Sequence, residues 1–193
     1  MQPANRWAFK EWAVVCAALA AGRQSLILRK GGIHEGRDGF RVDHREFWLF
    51  RTRFHQKPGE LVHEARDLYE RALTHQPPAG TVRLSEYAEV TDVVRISDDT
   101  ALPWLAGLHV LSDATVASRF HYHEPGLFAL VVRMHRLDEP IDLPDSPHFG
   151  GCRSWVDLPV DLSTAGLKPV LDDSEFERQR ACLLQALNRP QPC

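Results

Sequence analysis

Four short stretches concentrate the residue types that do chemistry. The first is Arg29-Lys30-Gly31-Gly32-Ile33-His34-Glu35, in which two cations leave an apolar run and meet two glycines. Glycines let successive backbone N–H groups approach an anion closely, and such nests bind phosphate. The stretch lacks the spacing of a Walker loop, and the same residues also suit an ordinary hairpin turn with surface charges. The second is Arg51-Thr52-Arg53-Phe54-His55-Gln56, directly after the apolar run Phe47-Trp48-Leu49-Phe50. If strand alternation continues, Arg51, Arg53 and His55 share one face and Phe54 points the other way. Arginine beside an amide suits phosphates and base edges, and His44 and Arg45 add to the same neighbourhood.

The third stretch, His121-Tyr122-His123-Glu124, would point both histidines one way on a strand. Two ligands do not make a metal site, and the candidates for a third, His34, His44 and His55, are distant in sequence. No metal or other cofactor is expected. The fourth is His148-Phe149-Gly150-Gly151-Cys152-Arg153-Ser154-Trp155. Arg153 could lower the thiol pKa of Cys152, with His148 or His55 as base; alternatively, Cys152 packs beneath Trp155. Glu35, Asp43 and Glu46 lie near Lys30, but the lysine spacing of a carboxylate nuclease is missing.

Ordinary elements must position these residues. A first helix is expected from about Asn5 to Ala21, because Trp12, Val15, Cys16 and Leu19 follow helical spacing and Gly22 suits the stop. Ser25 to Arg29 and Phe47 to Phe50 read as short strands. Pro58 and Gly59 open a second helix to about Gln76, with Leu61, Ala65, Leu68 and Ala72 as its inward stripe. Thr81 to Ile96 carries two β-like runs. Ser112 caps a short helix through Arg119, Leu127 to Leu137 is the longest strand, and Ser154 to Leu158 is the last. Asp172 opens a C-terminal helix that stops before Pro190. The order lacks a regular βαβ alternation. The fold class expected is α+β: a small curved mixed or antiparallel sheet, or a partial β-barrel, with flanking N-terminal, middle and C-terminal helices.

The chain of 193 residues, 44% hydrophobic and 25% charged, has the composition of a globular protein and suits one domain, 1–193. The longest apolar run, Trp12 to Ala21, is too short to cross a bilayer. Glu11 at its edge, with Trp7, Phe9 and Trp12, argues for an amphipathic helix rather than a signal peptide, so a cytoplasmic protein without membrane contact is expected. Cys16 and Cys182 sit in helical patterns as buried thiols, and no disulfide is expected. The net charge of -3 conceals an asymmetry: residues 1–60 hold 11 Lys/Arg against 6 Asp/Glu. A basic segment on an acidic body can be an anion-facing surface, or the two parts can neutralise each other within one fold.

Phe9-Lys10-Glu11-Trp12-Ala13-Val14, Leu28-Arg29-Lys30-Gly31-Gly32-Ile33, Glu46-Phe47-Trp48-Leu49-Phe50 with His55-Gln56, and Gly151-Cys152-Arg153-Ser154-Trp155-Val156 together resemble the bacterial domain-of-unknown-function family 1802. The resemblance runs from about Phe9 to about Leu187. It departs at Arg51, where many relatives are expected to carry proline. It implies no established activity, only an association, through fusion to endonuclease-like domains of the Mrr type, with DNA restriction or defence. A second, architectural similarity is to PUA-like domains of the ASCH and EVE kind. It is carried by Gly22-x-x-x-Leu26-x-Leu28-Arg29 and by Leu130 to Arg133 with Leu137 to Ile141. Those folds are small barrels that read RNA or modified bases, which would place Trp12, Arg29, Lys30 and the stretch 51–56 near a ligand cleft.

The expected function is therefore nucleic-acid binding, to DNA or RNA and including a modified or flipped base. Its residues would be Trp12, Arg29, Lys30, Gly31, Gly32, Arg45, Arg51, Arg53, His55 and Gln56. Gly151, Cys152, Arg153, Ser154 and Trp155 would form an additional pocket. The alternatives are an accessory subunit docked on a restriction endonuclease or methylase, and a metal- or thiol-dependent hydrolase acting on nucleic acid.

Overall fold

The computed structural model describes residues 1–30, 42–52, 56–74, 76–151 and 153–188. The elements follow in chain order: β1 (Ala4–Trp12), α1 (Ala13–Ala20), β2 (Leu26–Arg29), β3 (Glu46–Thr52), α2 (Arg66–Thr74), β4 (Thr81–Ile96), α3 (Asp113–His121), β5 (Leu127–Pro144), β6 (Trp155–Ser163), β7 (Lys168–Pro169) and α4 (Asp173–Leu187). Strands pair in the order β2-β5-β4-β3-β1-β6, with β7 on β5. β1 and β3 are parallel, and the other pairs are antiparallel. The mixed α+β class expected from the sequence is the class observed.

The N-terminal helix is a correction. Residues 4–12 form a strand hydrogen-bonded between β3 and β6, and the helix begins only at Ala13. Helix propensity is a weak prior that pairing on both sides overrides. Apolar layers cover both faces of β1: Phe9 faces the core that holds α1 and Phe47, and Ala8 faces a second core around Trp48 and Tyr87. The helical spacing of Val15, Cys16 and Leu19 belongs to the shorter α1, in which they are buried together with Ala13, Val14 and Ala18. Gly22 does end it, at φ +66, where a Cβ would meet Leu171 Cδ2 at 2.6 Å.

The second helix also starts later than expected. Residues 58–65 form two 3-10 turns separated by an extended step, and α2 begins at Arg66. The reason is long-range: Val62 N–H donates to the Val110 carbonyl at 3.0 Å, and the Glu60 carbonyl accepts from Ser112 N–H at 2.9 Å. Leu61, Ala65, Leu68 and Ala72 are all buried, as the stripe required. The two runs between Thr81 and Ile96 are one strand with register shifts at Leu84/Glu86 and Val90/Asp92. β6 continues to Ser163, past the expected Leu158. Two caps are where they were read: the side chains of Ser112 and Asp172 accept from the N–H groups of Thr115 and Glu175. Cys16 is buried as expected, but Cys182 is exposed, because α4 turns Phe176, Leu183 and Ala186 inward instead. Among the described residues no helix is long and apolar enough to cross a membrane.

Candidate functional site

The strand register builds one rim. Parallel pairing sets Glu11 against Arg51 and Trp12 against Thr52, so β1 and β3 end side by side. Arg29 is the last residue of β2, at one edge of the sheet, and Ser154 immediately precedes β6, at the other. Arg29 Nη2 donates to Ser154 Oγ at 2.7 Å, so the two edges of an open sheet meet through side chains. The Arg29 guanidinium also lies 4.7 Å over the Phe9 ring and 3.8 Å from Glu11 Oε2.

Glu11 is the centre of this rim. It is 2% exposed. Its Oε1 accepts from the Trp12 N–H at 2.7 Å, its carbonyl accepts from Thr52 Oγ1 at 3.1 Å, and its Oε2 accepts no hydrogen bond. A buried carboxylate persists only beside cations, and here Arg29 makes the contact. Arg119, from the last turn of α3, lies 4.2 Å over the Trp12 ring and donates to the Leu28 carbonyl at 3.4 Å. Burial pushes its pKa down; Glu11 opposes that and Arg29 adds to it. Arg51 pairs with buried Glu86 through both Nε and Nη2, in the two-pronged manner of a guanidinium on a carboxylate.

Gln56 adjoins the rim at the start of α1. It is 7% exposed; its Oε1 accepts from the Val14 N–H at 3.3 Å, capping α1, and its Nε2 has no partner. Trp155 packs edge-on against Phe9, Phe47 and His44 at 4.8, 5.1 and 5.0 Å, and its buried Nε1 is likewise unpartnered. His44 also stacks on Trp7 at 4.0 Å, and burial lowers its pKa. Cys16 lies under the rim with Sγ 3.8 Å from the Glu11 carbonyl. Burial pushes its thiol well above the usual range, so it is inert packing rather than a nucleophile.

Trp12, Arg29, Arg51, Gln56, Ser154 and Trp155 therefore converge on the rim. Gly31, Gly32, Arg53, His55 and Cys152 lie outside the described residues. Lys30 does not join its neighbour: its ammonium donates to the carbonyls of Phe120 at 2.8 Å, Gly126 at 3.0 Å and Glu124. It is a clamp on the end of α3, the usual work of a lysine at a helix C-terminus. Arg45 is exposed and precedes β3, at the opposite end of that strand from Arg51. The Gly151 carbonyl accepts from Lys10 Nζ at 2.9 Å, and Arg153 faces solvent. The strand expected at His121-Tyr122-His123 is instead the end of α3 and a turn. Among the described residues no group of three His, Cys, Asp or Glu side chains is placed to hold a metal ion. A hollow lined by Pro58, Leu61, Val62, His63, Arg66 and Tyr69 shares none of the rim residues.

Sequence reasoning missed Glu11 and Arg119 as members of the site. Glu11 had a signal, an acid between Lys10 and Trp12 at the head of an apolar run. Arg119 had none, since its partners come from β1 and β2.

No curated protein matches the chain. Among solved structures, ASCH from Zymomonas mobilis is similar at 13% identity and a TM-score of 0.40, over 91% of this chain and 93% of that one. A serine-to-alanine variant of the same protein gives 14%, a TM-score of 0.42, and 91% and 94% coverage. The family model described as "Domain of unknown function (DUF1802)" matches residues 8–182, and the chain belongs to that family.

Proposed function

We propose that the rim binds nucleic acid through a base that is single-stranded or turned out of its stack, with the flanking phosphates held by arginine. One observation carries this reading. Two buried side chains, Glu11 and Gln56, each spend one atom on the backbone at the start of α1 and leave the other, an acceptor and a donor, without a hydrogen bond, Glu11 Oε2 having only the Arg29 guanidinium 3.8 Å away. A buried polar atom left unpaired costs on the order of 1–3 kcal/mol. A nucleobase edge, which carries donors and acceptors side by side, answers both. The rim carries three guanidinium groups against two carboxylates: Arg29 beside Glu11, Arg51 on Glu86, and Arg119 over Trp12. Arginine suits the phosphates that flank a base, and the Trp12 and Trp155 rings supply apolar walls.

The ligand is DNA or RNA, and the wider role is in DNA restriction or defence, the setting that the family resemblance suggests. A restriction endonuclease or methylase is then the natural partner, to be sought by co-purification. The primary test is fluorescence anisotropy with labelled single- and double-stranded DNA and RNA across a salt series. Binding that weakens steeply with salt and falls in Arg29→Ala and Arg119→Ala is expected. Unaltered protein that binds none of the four at low salt would end the reading.

A further inference from the structure

The turn after α3 displays an aromatic ring to solvent. Tyr122 is 59% exposed, whereas the apolar residues α3 uses for packing, Val116 and Phe120, are buried. Tyr122 is also close to the rim: its N–H donates to the Arg119 carbonyl at 3.4 Å, and Arg119 lies on Trp12. The backbone that carries it is held in an uncommon shape. His123 has φ +55, the one positive φ outside glycine among the described residues, and Gly126 follows at φ +137. Such conformations persist where the surroundings impose them, and they cluster at ligand sites.

Here the surroundings are identifiable. Lys30, the residue after Arg29, gathers the carbonyls of Phe120, Glu124 and Gly126 onto one ammonium. Gly126 N–H returns to the Phe120 carbonyl at 3.1 Å. A three-carbonyl clamp, a left-handed residue and a fixed turn thus hold an exposed ring three residues after Arg119. His123 supports it, ring to ring, at 4.0 Å and 66°.

We infer that Tyr122 is a second subsite, on which the nucleotide adjoining the one held at the rim stacks its base. This rests on the nucleic-acid reading above and adds to it a direction, from Trp12 past Arg119 to Tyr122, and a minimum ligand of two nucleotides. Stacking of a base on an aromatic side chain corresponds to roughly fivefold to a hundredfold in affinity.

Calorimetric titration with mono-, di- and trinucleotides tests it on the unaltered chain, Tyr122→Ala and Tyr122→Phe. The dinucleotide is expected to bind the unaltered chain about tenfold more tightly than the mononucleotide. Tyr122→Ala should lose that gain and keep the mononucleotide affinity, and Tyr122→Phe, which keeps the ring, should keep both. Dinucleotide affinity unchanged in Tyr122→Ala overturns the subsite and leaves the rim standing. Failure of the unaltered chain to bind any of the three overturns the rim as well.

Discussion

Arg29 and Ser154, 125 residues apart, are joined at 2.7 Å between guanidinium and hydroxyl, and that bond bridges the two edges of the sheet. The same guanidinium is the cation beside the buried Glu11 carboxylate. The two substitutions should therefore differ. Ser154→Ala removes one charge-assisted hydrogen bond and should cost about 1–2 kcal/mol. Arg29→Ala strands Glu11 in the interior and should cost about 3–5 kcal/mol, as removal of one partner of a buried pair does. Urea unfolding of both variants measures the gap; equal losses would mean that Glu11 does not depend on Arg29.

Arg51 and Glu86 pose the same question with a cleaner control. Glu86 is 3% exposed and its carboxylate is held by both prongs of Arg51. Arg51→Leu should destabilise the fold by about 3–5 kcal/mol, and Arg51→Leu with Glu86→Leu should recover most of that. A double-mutant cycle by chemical denaturation checks it, and additive losses would show that the pair is not coupled.

Binding should separate charge from base reading. Replacing Arg119 with Ala takes away a cation that is held by Trp12 and the Leu28 carbonyl. It should flatten the slope of log affinity against log salt by about one. Glu11→Gln preserves shape but replaces an acceptor by a donor, so it should alter the preference among the four bases more than it alters the salt slope. Homopolymer competition at several salt concentrations reads both.

His109 should make stability depend on pH near neutrality. It is buried, its Nδ1 has no partner, and burial lowers its pKa below the usual 6.5. The unfolded chain then takes up this proton at a higher pH than the folded one. The contribution of the neutral ring is complete above about pH 6.5 and is lost as the pH falls through the lower folded pKa. Between pH 7.5 and 5.5 the urea midpoint should drop, and the drop should shrink in His109→Leu.

Much of the local structure was legible in the residue order. Ser112 and Asp172 cap the helices they were expected to cap, Gly22 ends α1, and the stripe Leu61, Ala65, Leu68 and Ala72 is buried. Of the candidate site, Trp12, Arg29, Arg51, Gln56, Ser154 and Trp155 were nominated from composition around strand ends or from the family likeness. The caps and the helix stop are settled by groups a few residues away, so the chain itself records them.

What only the tertiary structure decided is which partners those groups take. Residues 4–12 are a strand because β3 and β6 flank them, and residues 60–62 leave the helix because residues 110–112 hold their backbone. Adjacent Arg29 and Lys30 part company, one to Ser154 and Glu11, the other to the carbonyls after α3. Strand pairing and the neutralisation of a buried charge are satisfied by groups that approach only when distant segments pack. Nothing in the neighbouring sequence distinguishes one such partner from another.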